Sequence, residues 1–169
     1  ITSPSKVRLS VDTKTLVDIV TPAGQDEVNT DIGGDVIPAL TRAGVAHVYD
    51  FSQNVIPGQA DHERGYWRDV GSLDAYYDAN MDLLRQVPPF SLYNREWPVY
   101  SLQLPLPPAK VDRGPSGQQA LVLNSLLCAG SIVSGGQVER SILGPECYVD
   151  GSAQVTESIL FPGVRIGPG

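Results

Sequence analysis

The sequence predicts two consecutive architectures, an α/β segment and then the first coils of a parallel β-helix. Three observations carry this reading. Residues 125–141, SLLCAGSIVSGGQVERS, match residues 142–158, ILGPECYVDGSAQVTES, column by column. Upstream, strand-like and helix-like stretches are interspersed between Val7 and Leu84. Between the two lies a proline-rich stretch with little periodicity, Phe90 to Lys110.

In chain order, Val7, Leu9 and Val11 alternate as a short strand would. Asp12 is placed to cap a helix through Leu16, Val17, Ile19 and Val20, and Thr21-Pro22-Ala23-Gly24 stops it. Residues 24–30 read as a polar loop. A second helix is expected from Asp35, with Pro38 in its first turn, where a missing N–H costs little, and Gly44 at its end. Val45 to Phe51 reads as a strand, followed by a loop from Ser52 to Gly65 with the charged set Asp61-His62-Glu63-Arg64.

Tyr66 to Val70 reads as a further short strand, because aromatic and β-branched residues suit a pleated surface. Gly71 allows the turn out of it, and Ser72 is a good N-cap for the helix that follows. Leu73, Tyr76, Tyr77, Met81 and Leu84 fall on one helical face, expected to pack as core, and Pro88-Pro89 blocks continuation. Asp69 then sits at the end of a strand just before a helix, the edge where open α/β sheets bind ligands. The same position suits an aspartate that only hydrogen-bonds the turn. Beyond the helix, Trp97 is expected to anchor the extended connector, and a domain boundary falls near residues 113–117.

In the repeat, the offset of 17 aligns Leu126 with Leu143, Ile132 with Val149, Val138 with Val155 and Ser141 with Ser158. Leu160 and Ile166 continue the first two columns. Ile132 and Val138 are six apart, with Gly and Ser between, as in a β-helix of hexapeptides. Three hexapeptides would make eighteen, so one residue is trimmed at a corner. The competing reading is an antiparallel meander with chance similarity. In this register Cys128 and Cys147 lie two positions apart on adjacent coils, about 8 Å between Cα atoms. That exceeds the roughly 7 Å reach of a disulfide, so both are expected to be free thiols.

Composition narrows the function classes. The net charge of −7 argues against a nucleic-acid surface, which needs clustered Lys and Arg. There is no apolar run of membrane-spanning length and no signal-peptide pattern. Two cysteines and the absence of an N-x-Ser/Thr sequon fit a cytoplasmic setting. His47 and His62 form no spaced metal set with the cysteines and are read as structural or solvent-facing. The chain opens on Ile1 and its only methionine is Met81, so a processed chain or a part of a longer one is expected.

The run YWRDVGSLDAYYDANMDLL (66–84) resembles the ADP-glucose pyrophosphorylases, the glucose-1-phosphate adenylyltransferases of bacterial glycogen synthesis. The resemblance extends to DIGGDVIP (31–38), SLYNREWPVYS (91–101), LPPAK (106–110) and LNSLLCAGSIVSGG (123–136), covering roughly residues 30–169 in the family's order. Ser72 stands where the family more often has threonine, which keeps the hydroxyl. The resemblance implies that residues 1–112 are the C-terminal part of a Rossmann-like nucleotidyltransferase catalytic domain with its connector. Residues 113–169 would open a left-handed parallel β-helix domain, truncated partway through a coil. It implies that ATP and glucose 1-phosphate give ADP-glucose and pyrophosphate, with Mg2+ neutralising charge in a homotetrameric, allosterically controlled enzyme. Asp69, in the W-x-D-x-G element, would be a catalytic metal ligand, and Trp67 and Arg68 would shape the adjacent substrate pocket.

The family's glycine-rich phosphate loop, second metal aspartate and sugar-phosphate lysine have no counterpart in this sequence, so the chain alone is expected to be inactive. Three alternatives stand beside this reading. One is a pyrophosphorylase for another sugar nucleotide, against which DIGGDVIP and LPPAK argue. Another is a hexapeptide-repeat acyltransferase, which would need a histidine between coils, and none follows His62. The third is a non-catalytic structural and oligomerisation module.

Overall fold

A computed structural model describes residues 7–8, 12–14, 17, 31–45 and 49–168. The backbone divides into two compact units, residues 1–55 and 56–169.

In the first unit, strand β1 (Val7–Arg8) pairs antiparallel with β2 (Tyr49–Asp50), Val7 opposite Asp50. Leu9, Val11 and His47 lie outside the described residues, as do the polar loop and most of the helix expected after Asp12. Thr13, Lys14 and Val17 are helical. Phe51, expected to end a strand, instead opens a 3-10 turn, Phe51–Gln53.

The helix expected from Asp35 starts three residues earlier, at Ile32, with Asp31 as its N-cap. The Asp31 carboxylate accepts the Gly34 N–H at 2.6 Å, and the Asp31 N–H donates to Asp35 Oδ2 at 3.1 Å. This is reciprocal capping, displaced by one residue because the first turn, Ile32–Val36, is wound wide as a π-turn. Gly34 permits it, since a Cβ there would lie 2.8 Å from Asp31 Oδ2. The chain then tightens into helix α1 (Ile37–Arg42), with Pro38 near its start and Val36 and Leu40 buried. Gly44, at φ +71°, ends it in the left-handed region that Gly adopts freely.

In the second unit, Tyr66 to Val70 forms no strand: no described neighbour bonds to its backbone as a ladder. Helix α2 (Leu73–Asp82) follows, capped by the Ser72 hydroxyl, which accepts the Ala75 N–H at 3.2 Å. The expected apolar face is buried only in part: Tyr77, Met81 and Leu84 are half-buried, while Leu73 and Tyr76 are exposed. Leu73 is 87% exposed, and the buried residue of α2 is Asp82. Trp97 is likewise open, 61% exposed, because the segment around it is unpaired.

From Lys110 onward the chain coils. Strands β3 (Lys110–Asp112), β6 (Ile132–Ser134), β9 (Tyr148–Val149) and β12 (Arg165–Ile166) form one parallel sheet. A second holds β4 (Leu121–Leu123), β7 (Gln137–Glu139) and β10 (Gln154–Thr156). A third holds β5 (Leu126–Leu127), β8 (Ile142–Leu143) and β11 (Ile159–Leu160). The three sheets are the sides of a parallel β-helix, and the antiparallel meander is thereby excluded.

The register corrects the single offset. Between the second and third coils it is 17, as in Leu160 opposite Leu143 and Ile166 opposite Val149. Between the first and second it is 16: Leu126 pairs with Ile142, and Ile132 with Tyr148. The inward columns are therefore Val122/Val138/Val155, Leu127/Leu143/Leu160 and Val133/Val149/Ile166, and they form the apolar interior with Cys147 and Ala153. Corners recur at Asn124, Arg140 and Glu157, each at φ between 46° and 48°, a region sparsely used by non-Gly residues. Ladder bonds hold them there: Arg140 N–H to Leu123 O at 3.1 Å and Glu157 N–H to Glu139 O at 3.0 Å. The serines that follow stack, Ser141 N–H on Ser125 Oγ and Ser158 N–H on Ser141 Oγ, both at 3.1 Å.

Candidate functional site

Tyr66–Val70 belongs to no helix or strand, and the chain bends at Gly71 and Ser72 into α2. Asp69 makes the turn. Its Oδ1 accepts the Gly71 N–H at 3.1 Å, the Asx geometry that a short acidic side chain provides. Asp69 is exposed, and Trp67, two residues before it, is 52% exposed. Tyr66 and Arg68, two residues apart, both reach Asp82, so their side chains share one side of the stretch.

That side is anchored. Arg68 Nε and Nη2 both donate to Asp82 Oδ2, at 2.9 and 2.6 Å, and the Tyr66 hydroxyl donates to the same oxygen at 3.2 Å. Arg85 Nη2 takes Oδ1 at 2.7 Å. Asp82 is 2% exposed, so burial of its charge is offset by two guanidinium groups and a phenol. Burial, and then the Asp82 carboxylate, push the Tyr66 phenol above the usual tyrosine range, which keeps it protonated and donating. Tyr66 also stacks on Phe90, ring centres 6.0 Å apart.

Beside this cluster lies an open cavity of about 410 Å³. Arg68, Arg85 and Asp82 line it from the α2 side, and Arg140 and Glu157 from the coil corner. Arg140 Nε is 3.0 Å from Glu157 Oε1, and the Tyr77 hydroxyl donates to the Glu157 carbonyl at 3.0 Å, so α2 is tied directly to the β-helix. Asp69 is not among the lining residues.

Of the three residues singled out in the sequence, Asp69 and Trp67 are both exposed, while Arg68 is committed to Asp82. Asp82 itself was missed. A carboxylate directly between Met81 and Leu83, with Arg85 three residues on, was the available signal. No group of three or more His, Cys, Asp or Glu able to hold a metal occurs among the described residues. His62 is half exposed and 3.9 Å from Glu63 Oε1. Cys128 and Cys147 are free thiols, as expected. No helix among the described residues is long and apolar enough to cross a membrane.

The comparisons with known proteins agree on both segments. A nucleotidyl transferase family profile matches residues 12–86, and a profile described as GlmU-like, C-terminal hexapeptide matches residues 107–169. The chain is 44% identical to a glucose-1-phosphate adenylyltransferase of Leifsonia xyli subsp. xyli over 146 residues, 86% of this chain and 35% of that protein. It is 44% identical to one of Arthrobacter sp. over 159 residues, 94% of this chain and 34% of the other. With one of Corynebacterium glutamicum the identity is 46% over 140 residues, 82% and 33% of the two chains. The chain thus spans about a third of the length of these curated relatives. By both segments and by their order, it is similar to a nucleotidyl transferase segment followed by a hexapeptide-repeat segment, and the relatives it matches over both are glucose-1-phosphate adenylyltransferases.

Proposed function

We propose that this chain is part of an enzyme that makes ADP-glucose and pyrophosphate from ATP and glucose 1-phosphate for glycogen synthesis. The observation that carries the reading is Asp69: an exposed carboxylate at the turn into a capped helix, in a chain 44% identical to glucose-1-phosphate adenylyltransferases. Residues 1–112 would be the C-terminal part of the catalytic domain with its connector, and residues 113–169 the start of the β-helix domain. A cytoplasmic homotetramer under allosteric control is the assembly that this reading carries with it.

In the reaction, a phosphate oxygen of glucose 1-phosphate attacks the α-phosphorus of ATP. The bond from that phosphorus to the bridging oxygen of the β-phosphate breaks, and pyrophosphate leaves with the bond's electron pair. A divalent cation, Mg2+ in this reading, supplies charge neutralisation on the phosphates when bound. Mg2+ is held by one or two carboxylates together with phosphates and water, and a single exposed aspartate with one oxygen engaged by an N–H fits that demand. Asp69 would hold the ion, and Trp67, two residues before it, would form the adjacent wall. Arg68 would shape the pocket through its bond to Asp82.

The test is Asp69→Asn in a polypeptide of the relatives' full length. Asparagine keeps an oxygen to accept the Gly71 N–H, so the turn survives, while the charge is lost. Loss of about 3–4 kcal/mol of transition-state stabilisation would slow turnover by about 10²–10³-fold. The magnesium concentration needed for activity should rise, and the denaturation midpoint should stay near that of the wild type. Near-normal kcat with a lowered midpoint would restrict Asp69 to supporting the turn.

A further inference from the structure

We infer that Asp82 is the positioning residue for Asp69, an inference that rests on the metal-holding role proposed above. Asp82 terminates the helix that Asp69 introduces. A buried carboxylate at a helix C-terminus is unfavourable twice, through desolvation and through the negative end of the helix dipole. Its partners show what offsets that cost: Tyr66 and Arg68 converge on one oxygen, and Arg85 holds the other. Tyr66 and Arg68 are alternate residues of the stretch that presents Trp67 and Asp69.

Among the described residues, no ladder of backbone hydrogen bonds sets the direction of the stretch. Its upstream end is fixed by side chains to Asp82, and its downstream end by the Asp69–Gly71 turn and the Ser72 cap. Asp69 lies between these two anchors, one residue from the guanidinium that Asp82 grips. Removing the grip frees the upstream anchor and lets the carboxylate wander from a fixed position. A carboxylate must be held closely to serve an ion with strict geometric demands.

Two measurements test this. In the present chain with Trp97→Phe, Trp67 is the sole tryptophan and reports on the stretch itself. Asp82→Asn should increase the mobility of Trp67 in time-resolved anisotropy and its quenching by acrylamide. Arg85→Gln, which touches only the other oxygen, should lower stability without that change. If Asp82→Asn proves unable to fold, Tyr66→Phe, which removes one hydrogen bond, should change Trp67 in the same direction by less. Unchanged Trp67 mobility in every folded variant would overturn the positioning role.

In the full-length polypeptide, Asp82→Asn should raise the Mn2+ dissociation constant, measured by electron paramagnetic resonance, by about tenfold, with Asp82→Glu recovering part of the loss. In an Asp69→Asn background, Asp82→Asn should have little further effect on Mn2+ binding or on kcat/KM, because the two act through one group. Full multiplicative loss in the double variant would overturn the inference while leaving Asp69 a metal ligand. A metal constant unmoved by Asp69→Asn alone would sink the proposed metal site, and this inference with it, even where Trp67 loosens.

Discussion

Replacing Leu143 with alanine should unravel the β-helix more than any surface change can. Leu143 is fully buried in the middle coil, with Leu127 and Leu160 in its column on either side. The truncation removes the equivalent of about three methylenes, roughly 2.4 kcal/mol at about 0.8 kcal/mol each. A cavity term adds to this, because the backbone cannot settle inward: Leu143 O accepts the Cys128 N–H and Gly144 N–H donates to Leu160 O, at 2.9 and 2.8 Å. The expected cost is about 3 kcal/mol, within the usual range of about 2–5 for such changes. At a urea dependence of about 1–3 kcal/mol per molar, the midpoint falls by about 1–3 M. The assay is urea unfolding of the chain by far-UV circular dichroism, with tryptophan fluorescence as a second probe, since Trp67 and Trp97 both lie before the coils. Leu121→Ala is the control: Leu121 is 46% exposed on its strand, and its loss should stay within about 0.5 kcal/mol. Equal midpoints for the two variants would refute the inward column Leu127/Leu143/Leu160 and the register built on it.

Two further outcomes follow from burial. Cys147 is 1% exposed, and desolvation, its largest influence, raises its thiol above the ordinary range, whereas Cys128 is partly exposed. Iodoacetamide at neutral pH should therefore label Cys128 first, read by peptide mass spectrometry; equal labelling, or a Cys128–Cys147 bridge, contradicts the interior position of Cys147. Tyr66 holds its proton more tightly folded than unfolded, so its contribution to stability is full below the free-tyrosine range and is lost as pH rises through the raised folded value. An alkaline absorbance titration should lose its most basic phenolate component in Tyr66→Phe, and an unaltered titration would mean that Tyr66 does not face Asp82.

The β-helix was legible in the sequence because its signal is periodic and local, yet the first offset was read one residue long. Leu126-Leu127 and Ile142-Leu143 each offer two adjacent apolar residues, so identity of type favoured matching Leu126 with Leu143. The backbone instead turns Leu127 and Leu143 inward as a pair. The trimmed residue lies between Val133 and Val138, where two glycines take the corner, while the longer corner between Val149 and Val155 carries Ser152 at φ 69°. Gly136 allows the tight version, since a Cβ there would come within 2.6 Å of Asp150 O on the next coil. That contact joins two coils, and a composition-based alignment contains no term for it.

The stretch around Asp69 was legible in a different way. Its sequence encodes a turn and a helix start, and Gly71, Ser72 and Asp69 itself make both through bonds no longer than three residues along the chain. Aromatic and β-branched residues before it suggested a strand, but propensity of that kind measures how well side chains suit a pleated surface, and pairing needs a partner. Here side chains take over the work of the ladder. The Arg68–Asp82 bond spans fourteen residues and runs from the stretch around Asp69 to the far end of a helix. At that end of α2 a carboxylate is buried, while Leu73 at the other end is in solvent. Hydrophobic periodicity assigns the buried face by counting apolar residues, and a carboxylate buried against two guanidinium groups and a phenol lies outside that count. An acidic residue that closes a helix and is followed by two leucines, with arginines in reach on both sides in sequence, is therefore evidence about a neighbouring segment's position, and here that segment carries the candidate metal ligand.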